Sequence, residues 1–108
     1  MASRWTTMAV LSLAAAEGEL RFTELKREMT GVSQKMLAQT LRALERDGLV
    51  DRRVEASKPP RVYYRLTDLG TTLVAPLRSL RAWAEQYMPL IQHNCATFDA
   101  ADRPNGHG

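Results

Sequence analysis

The chain is poor in the residues that most catalytic and metal centres need. It has a single cysteine, Cys95, so no internal disulfide can form, which suits a reducing compartment and a cytoplasmic protein. Its two histidines, His93 and His107, have no partners at metal-ligand spacing, so a zinc site is not expected. The six glycines form no phosphate-binding loop. There is no nucleophile elbow, nor any His/Cys or carboxylate constellation, so neither an enzyme nor a cofactor site is expected. No apolar run approaches the ~20 residues of a membrane helix. One stretch imitates a secretory signal, with Arg4 ahead of the apolar residues 8–16 and an A-x-A site. A buried first helix is the better reading, because nothing else in the chain is extracellular in character.

What the chain does have is one domain's worth of sequence, 108 residues of which 44% are hydrophobic. Its formal charge of +3 is unevenly spread. Residues 33–65 hold eight basic side chains against four acidic ones, and the segment after residue 66 holds three against four. A local excess of positive charge favours a polyanionic partner at one place on the molecule.

Periodicity divides the chain into an α+β, mainly α arrangement. The first helix spans residues 3–16, apolar most of the way round, with Gly18 as C-cap. Arg21-Phe22 is a short extended piece. Thr23 caps a second helix ending near Met29, and Gly31 supplies a tight turn through a positive φ. Ser33 caps a third helix that runs to Asp47 and stops at Gly48. Met36, Leu37, Thr40, Leu41 and Leu44 form its inward stripe, with Gln34, Lys35, Ala38, Gln39, Arg42 and Arg46 opposite. Residues 49–56 and 61–66 read as a hairpin with Lys58 and Arg61 near its tip. Thr67 caps a last helical region with a break near Leu73 caused by Pro76. Residues 1–94 are read as one domain and residues 95–108 as a disordered tail.

Helix, turn and helix followed by a basic hairpin is the order of a winged helix-turn-helix. A third helix of this kind fills a DNA major groove, and its early turns approach the base edges. Gln34, Lys35, Gln39 and Arg42 are the base-edge candidates. Thr23 and Ser33 are candidates for phosphate contact, as are Lys58 and Arg61 on the hairpin, and Arg46 shares the reading face. The first and last helices carry more apolar surface than a small monomer can cover. Trp5, Met8, Leu11, Leu77, Leu80, Trp83 and Tyr87 are therefore read as a homodimer interface. Two Ser33 helices would then lie roughly 34 Å apart on a palindromic operator.

Several blocks resemble the HxlR-type regulators: Arg4-Trp5-Thr6, residues 20–25, residues 31–37, residues 41–50, Pro59-Pro60-Arg61-Val62-Tyr63-Tyr64, residues 66–70, and Trp83. The resemblance covers about residues 4–90. It implies bacterial or archaeal regulators of the broader MarR-like group that bind operator DNA as homodimers. It also implies an interface built from the first and last helices. In many such regulators a cysteine just upstream of the tryptophan senses oxidants. No cysteine stands before Trp5, so that mechanism is not expected here. Tyr63 occupies a position where an acidic residue is commoner. Cys95 reads as a thiol without a role. Trp5 and Trp83 could line an effector pocket between subunits, but packing is preferred.

The function expected is a repressor whose dimer blocks a promoter. The alternative is a winged helix used only for protein contacts. Such a module would be expected to lack the basic hairpin and the polar third-helix face.

Overall fold

The computed structural model describes residues 4–102. Its elements follow the order α1 (Arg4–Ala16), β1 (Leu20–Arg21), α2 (Phe22–Glu28), α3 (Gln34–Arg46), β2 (Val50–Glu55), β3 (Arg61–Leu66), α4 (Asp68–Thr71) and α5 (Val74–Asp102). The chain divides into two units, Met1–Leu77 and Arg78–Gly108, where the sequence suggested one domain through residue 94.

In the first unit the helices surround one core. α1 contributes Ala9, Val10 and Leu13, α2 and the following turn contribute Leu25, Met29 and Val32, and α3 contributes Leu37, Leu41 and Leu44. Val50 and Tyr64 close it from the sheet. The buried α3 residues recur at three- and four-residue spacing, so one stripe meets the core and the rest faces water. Met36, expected in that stripe, is 40% exposed. It lies roughly 90° round the helix from the stripe's centre, too far for core contact.

The sheet order is β1-β3-β2, all antiparallel. Val50 pairs with Leu66, Arg52 with Tyr64 and Val54 with Val62 on one face. Asp51, Arg53 and Glu55 alternate with them and stand opposite Arg65, Tyr63 and Arg61 on the other.

Local chemistry moved several helix ends. α1 closes at Glu17, whose amide donates to the Ala14 carbonyl at 3.2 Å. Glu17 itself takes the left-handed conformation, φ 53°, and Gly18 does not serve as the cap. α2 is capped at Arg21 rather than Thr23. The Glu24 carboxylate accepts the Arg21 amide at 2.8 Å, as the third helical residue of a capping box does, and this starts the helix earlier. The expected caps at Ser33 and Thr67 are present: their hydroxyls accept from the Met36 and Gly70 amides, each at 3.0 Å. Gly31 and Gly48 have the positive φ values, 91° and 77°, that the turns on either side of α3 require.

The last helical region is broken at Thr72-Leu73, as expected near Leu73. Pro76 lies within the first turn of α5, where a missing N–H costs no helical bond. The interior proline is Pro89, which leaves the Glu85 carbonyl without its usual donor. In the second unit α5 continues past Asn94 to Asp102, so residues 95–102 are helical where a disordered tail was expected. That segment contains three alanines and no glycine or proline, a composition that sustains a helix. Residues 103–108, the rest of the expected tail, lie outside the described residues, as does Ser3. No helix among the described residues is long and apolar enough to cross a membrane.

Candidate nucleic-acid interface

The outward side of α3 is set by its inward side. With Leu37, Thr40, Leu41 and Leu44 buried, the 3.6-residue repeat leaves Gln34, Lys35, Ala38, Gln39, Arg42, Glu45 and Arg46 exposed on one continuous face. Lys35, Gln39, Arg42 and Arg46 follow one another at three- or four-residue steps along it. Thr40 keeps its hydroxyl off this face by donating to the Met36 carbonyl at 2.8 Å. Ser33 holds the first turn, and Arg46 lies in the last.

Charge is distributed unequally over the two faces of the sheet. On the outer face every arginine of the hairpin has a partner. Arg65 meets Asp51 at 3.4 Å and Arg61 meets Glu55 at 3.9 Å, both directly across the ladder. Arg53 donates two hydrogen bonds to the Glu19 carboxylate, at 2.7 and 2.9 Å. Its guanidinium also lies 4.4 Å from the centre of the Tyr63 ring. The hydrogen bond from Arg53 holds the Glu19 carboxyl below its ordinary range, and the same bond raises the Arg53 guanidinium. Tyr63 thus supplies a π face and Glu19 the acid, so Arg53 is satisfied with no acid at position 63.

The other face carries Arg52 opposite Tyr64. An open groove of about 730 Å³ lies there, lined by Ala38, Arg42, Glu45 and Arg46 of α3 and by Arg52 and Tyr64 of the sheet. None of Arg42, Arg46 and Arg52 makes an ion pair with a described residue. Arg52 was not singled out from the sequence. Strand alternation starting at the buried Val50 would have placed it on this side.

The chain belongs to the HxlR-like helix-turn-helix family. The family model matches residues 1–92. The chain is 42% identical over 89 residues to the HTH-type transcriptional regulator YtfH of Escherichia coli, covering 82% of this chain and 69% of that one. Among solved structures it is similar to the regulator ytfH of Salmonella typhimurium, with TM-score 0.76 and 39% identity over 87% of this chain and 82% of that one. It is also similar to the reduced form of the regulator YodB of Bacillus subtilis, with TM-score 0.66 and 38% identity over 79% and 81%. The fold is a winged helix-turn-helix, α3 is its second motif helix and the β2–β3 hairpin its wing, and the family is one of transcriptional regulators.

The remaining sequence candidates fall into separate places. Lys58 is exposed in the turn of the wing, where the Ser57 hydroxyl donates to the Pro59 carbonyl at 2.8 Å. Arg61 is exposed at the start of β3 but shares Glu55. Thr23 is exposed on the first turn of α2 and borders a cleft with Phe22, Pro60, Arg61 and Tyr64. Trp5, Met8 and Leu11 are half-buried against the core of the first unit, with Arg4 stacked 5.0 Å over the Trp5 ring. Leu77, expected at a dimer interface, is 4% exposed and belongs to that core, so it offers nothing to a second chain. In the second unit Leu80, Trp83 and Tyr87 are exposed, and the two rings lie 5.5 Å apart. Cys95 and His93 are exposed on α5; His107 lies outside the described residues. No group of three His, Cys, Asp or Glu among the described residues is placed to hold a metal ion.

Proposed function

We propose that this regulator is a sequence-specific repressor, acting in the cytoplasm as a homodimer on a palindromic operator. The observation that carries the proposal is the outward face of α3. Apart from Ala38 and the acidic Glu45 it is polar or basic over its length, and its lysine and arginines lack ion-pair partners among the described residues. Such a face suits donors and acceptors aimed at base edges. Gln34, Lys35 and Gln39, on the first two turns, match adenine and guanine in the major groove. Ser33 and Lys58 flank it as phosphate contacts.

Dimerisation is supported by α5, where Leu80, Trp83, Tyr87, Met88 and Leu90 leave large apolar side chains in water. A face of this kind is stabilised by burial against a second copy. Blocking a promoter requires only such a dimer, and no further activity is invoked. The test is footprinting of the region upstream of the protein's own gene. A protected inverted repeat supports the reading; no protection at any concentration that saturates non-specific binding contradicts it.

A further inference from the structure

We propose that the groove between α3 and β2 is a phosphate clamp, in which Arg42, Arg46 and Arg52 together hold one sugar–phosphate strand of the DNA duplex. The inference rests on the DNA-binding reading and deepens it. It assigns Arg42 to the backbone rather than to a base and gives Arg52 a role.

Three arginines line one groove, and like charges brought together destabilise the free protein. The fold pairs the other hairpin arginines: Arg53 with Glu19, Arg61 with Glu55 and Arg65 with Asp51. Glu45 lines the same groove, yet no ion pair links it to any of the three. Arg52 also stands on the face that alternation gives to Val50, Val54, Val62 and Tyr64. An apolar residue would fit that row. A cation there makes no ion pair with a described residue and is placed to meet an anion entering from outside.

The shape selects the anion. The groove is open and runs along the wall of α3, so it admits a strand. Arg42 and Arg46 are one turn apart, about 6 Å along the axis. Two cations at that separation can each meet a phosphate of one strand, whose charges rise ~3.4 Å apiece along the duplex axis. Arg52 faces them from the sheet. A strand seated here fixes how deeply the first two turns of α3 enter the neighbouring major groove, so the clamp sets register while Gln34, Lys35 and Gln39 read bases.

The test measures binding of the full chain to its operator and to an unrelated duplex across a salt titration. Arg52→Ala is expected to reduce the slope of log affinity against log salt by about 0.9 per phosphate released, equally on both duplexes. Arg65→Ala, on the compensated face, should leave the slope as in the parent. Glu45→Gln should tighten both duplexes without changing the preferred sequence, and it tests the clamp even if Arg52→Ala does not fold. An unchanged slope in Arg52→Ala with operator binding retained overturns the clamp and leaves the DNA-binding reading standing. So does a shift in base preference in that variant. Inorganic phosphate competing as well as duplex at equal phosphate concentration overturns it in favour of a free-anion site. A parent that binds no duplex overturns both readings.

Discussion

Arg52 and Arg53 are neighbours in β2 and lie on opposite faces of the sheet. Arg53 is committed to Glu19 and the Tyr63 ring, whereas Arg52 faces the groove beside α3 with no acidic partner among the described residues. Two residues of one chemistry thus divide between holding the wing together and meeting a ligand. The two-residue alternation of the strand makes the division.

The Glu19–Arg53 pair gives stability a defined pH dependence. Arg53 holds Glu19 below its ordinary value of 4.5 in the folded state. A depressed carboxyl contributes stability above the unfolded value and loses it as pH falls through the folded one. Glu19→Gln should therefore have a lower urea midpoint than the parent at neutral pH. The two midpoints should converge in acid below the folded value. A difference that persists unchanged in acid would remove the ion pair as its cause.

Gly70 is held to glycine by close packing. A Cβ there would overlap the Leu49 carbonyl oxygen and stand 3.2 Å from a Leu66 methyl. The Leu49 carbonyl also accepts the Thr67 amide at 3.1 Å, so it is not free to move. Gly70→Ala should cost about 1–3 kcal/mol or more, measured by denaturant unfolding. A cost below about 0.5 kcal/mol would mean that α4 can shift away from the sheet.

Trp83 and Tyr87 are predicted to anchor the dimer. Trp83→Glu places a charge where an apolar ring is 51% exposed in the single chain. Loss of a buried aromatic anchor costs about 2 kcal/mol or more, roughly a 30-fold rise in the dimer dissociation constant. Sedimentation equilibrium reads this directly. A variant as dimeric as the parent would place the interface elsewhere.

Much of this architecture is written in local patterns. Ser33, Thr67, Gly31 and Gly48 announce themselves because each satisfies a short-range demand, a helix cap or a positive φ. The α3 face follows from one amphipathic period. The errors fall where a nearby residue outcompetes the obvious one. Glu24 moves the α2 cap from Thr23 to Arg21, and Glu17 ends α1 before Gly18 is needed. Leu77 and Leu80 look alike in an apolar repeat, but only the fold distinguishes a core leucine from an exposed one. Arg52 is legible in part: alternation from Val50 gives its face, but its value depends on Arg42 and Arg46, which only the fold brings to the same groove.

The exposed face of α3 is proposed to read duplex sequence. The direct measurement is selection from a pool of random duplexes, run with the parent and with Gln34, Lys35 and Gln39 all replaced by alanine. The three side chains are exposed, so the fold should survive their removal. The parent is predicted to enrich an inverted repeat with half-sites about one helical turn apart. The variant should keep salt-dependent binding and lose the motif. No enriched motif with the parent, or the same motif with the variant, would rule out this role for α3.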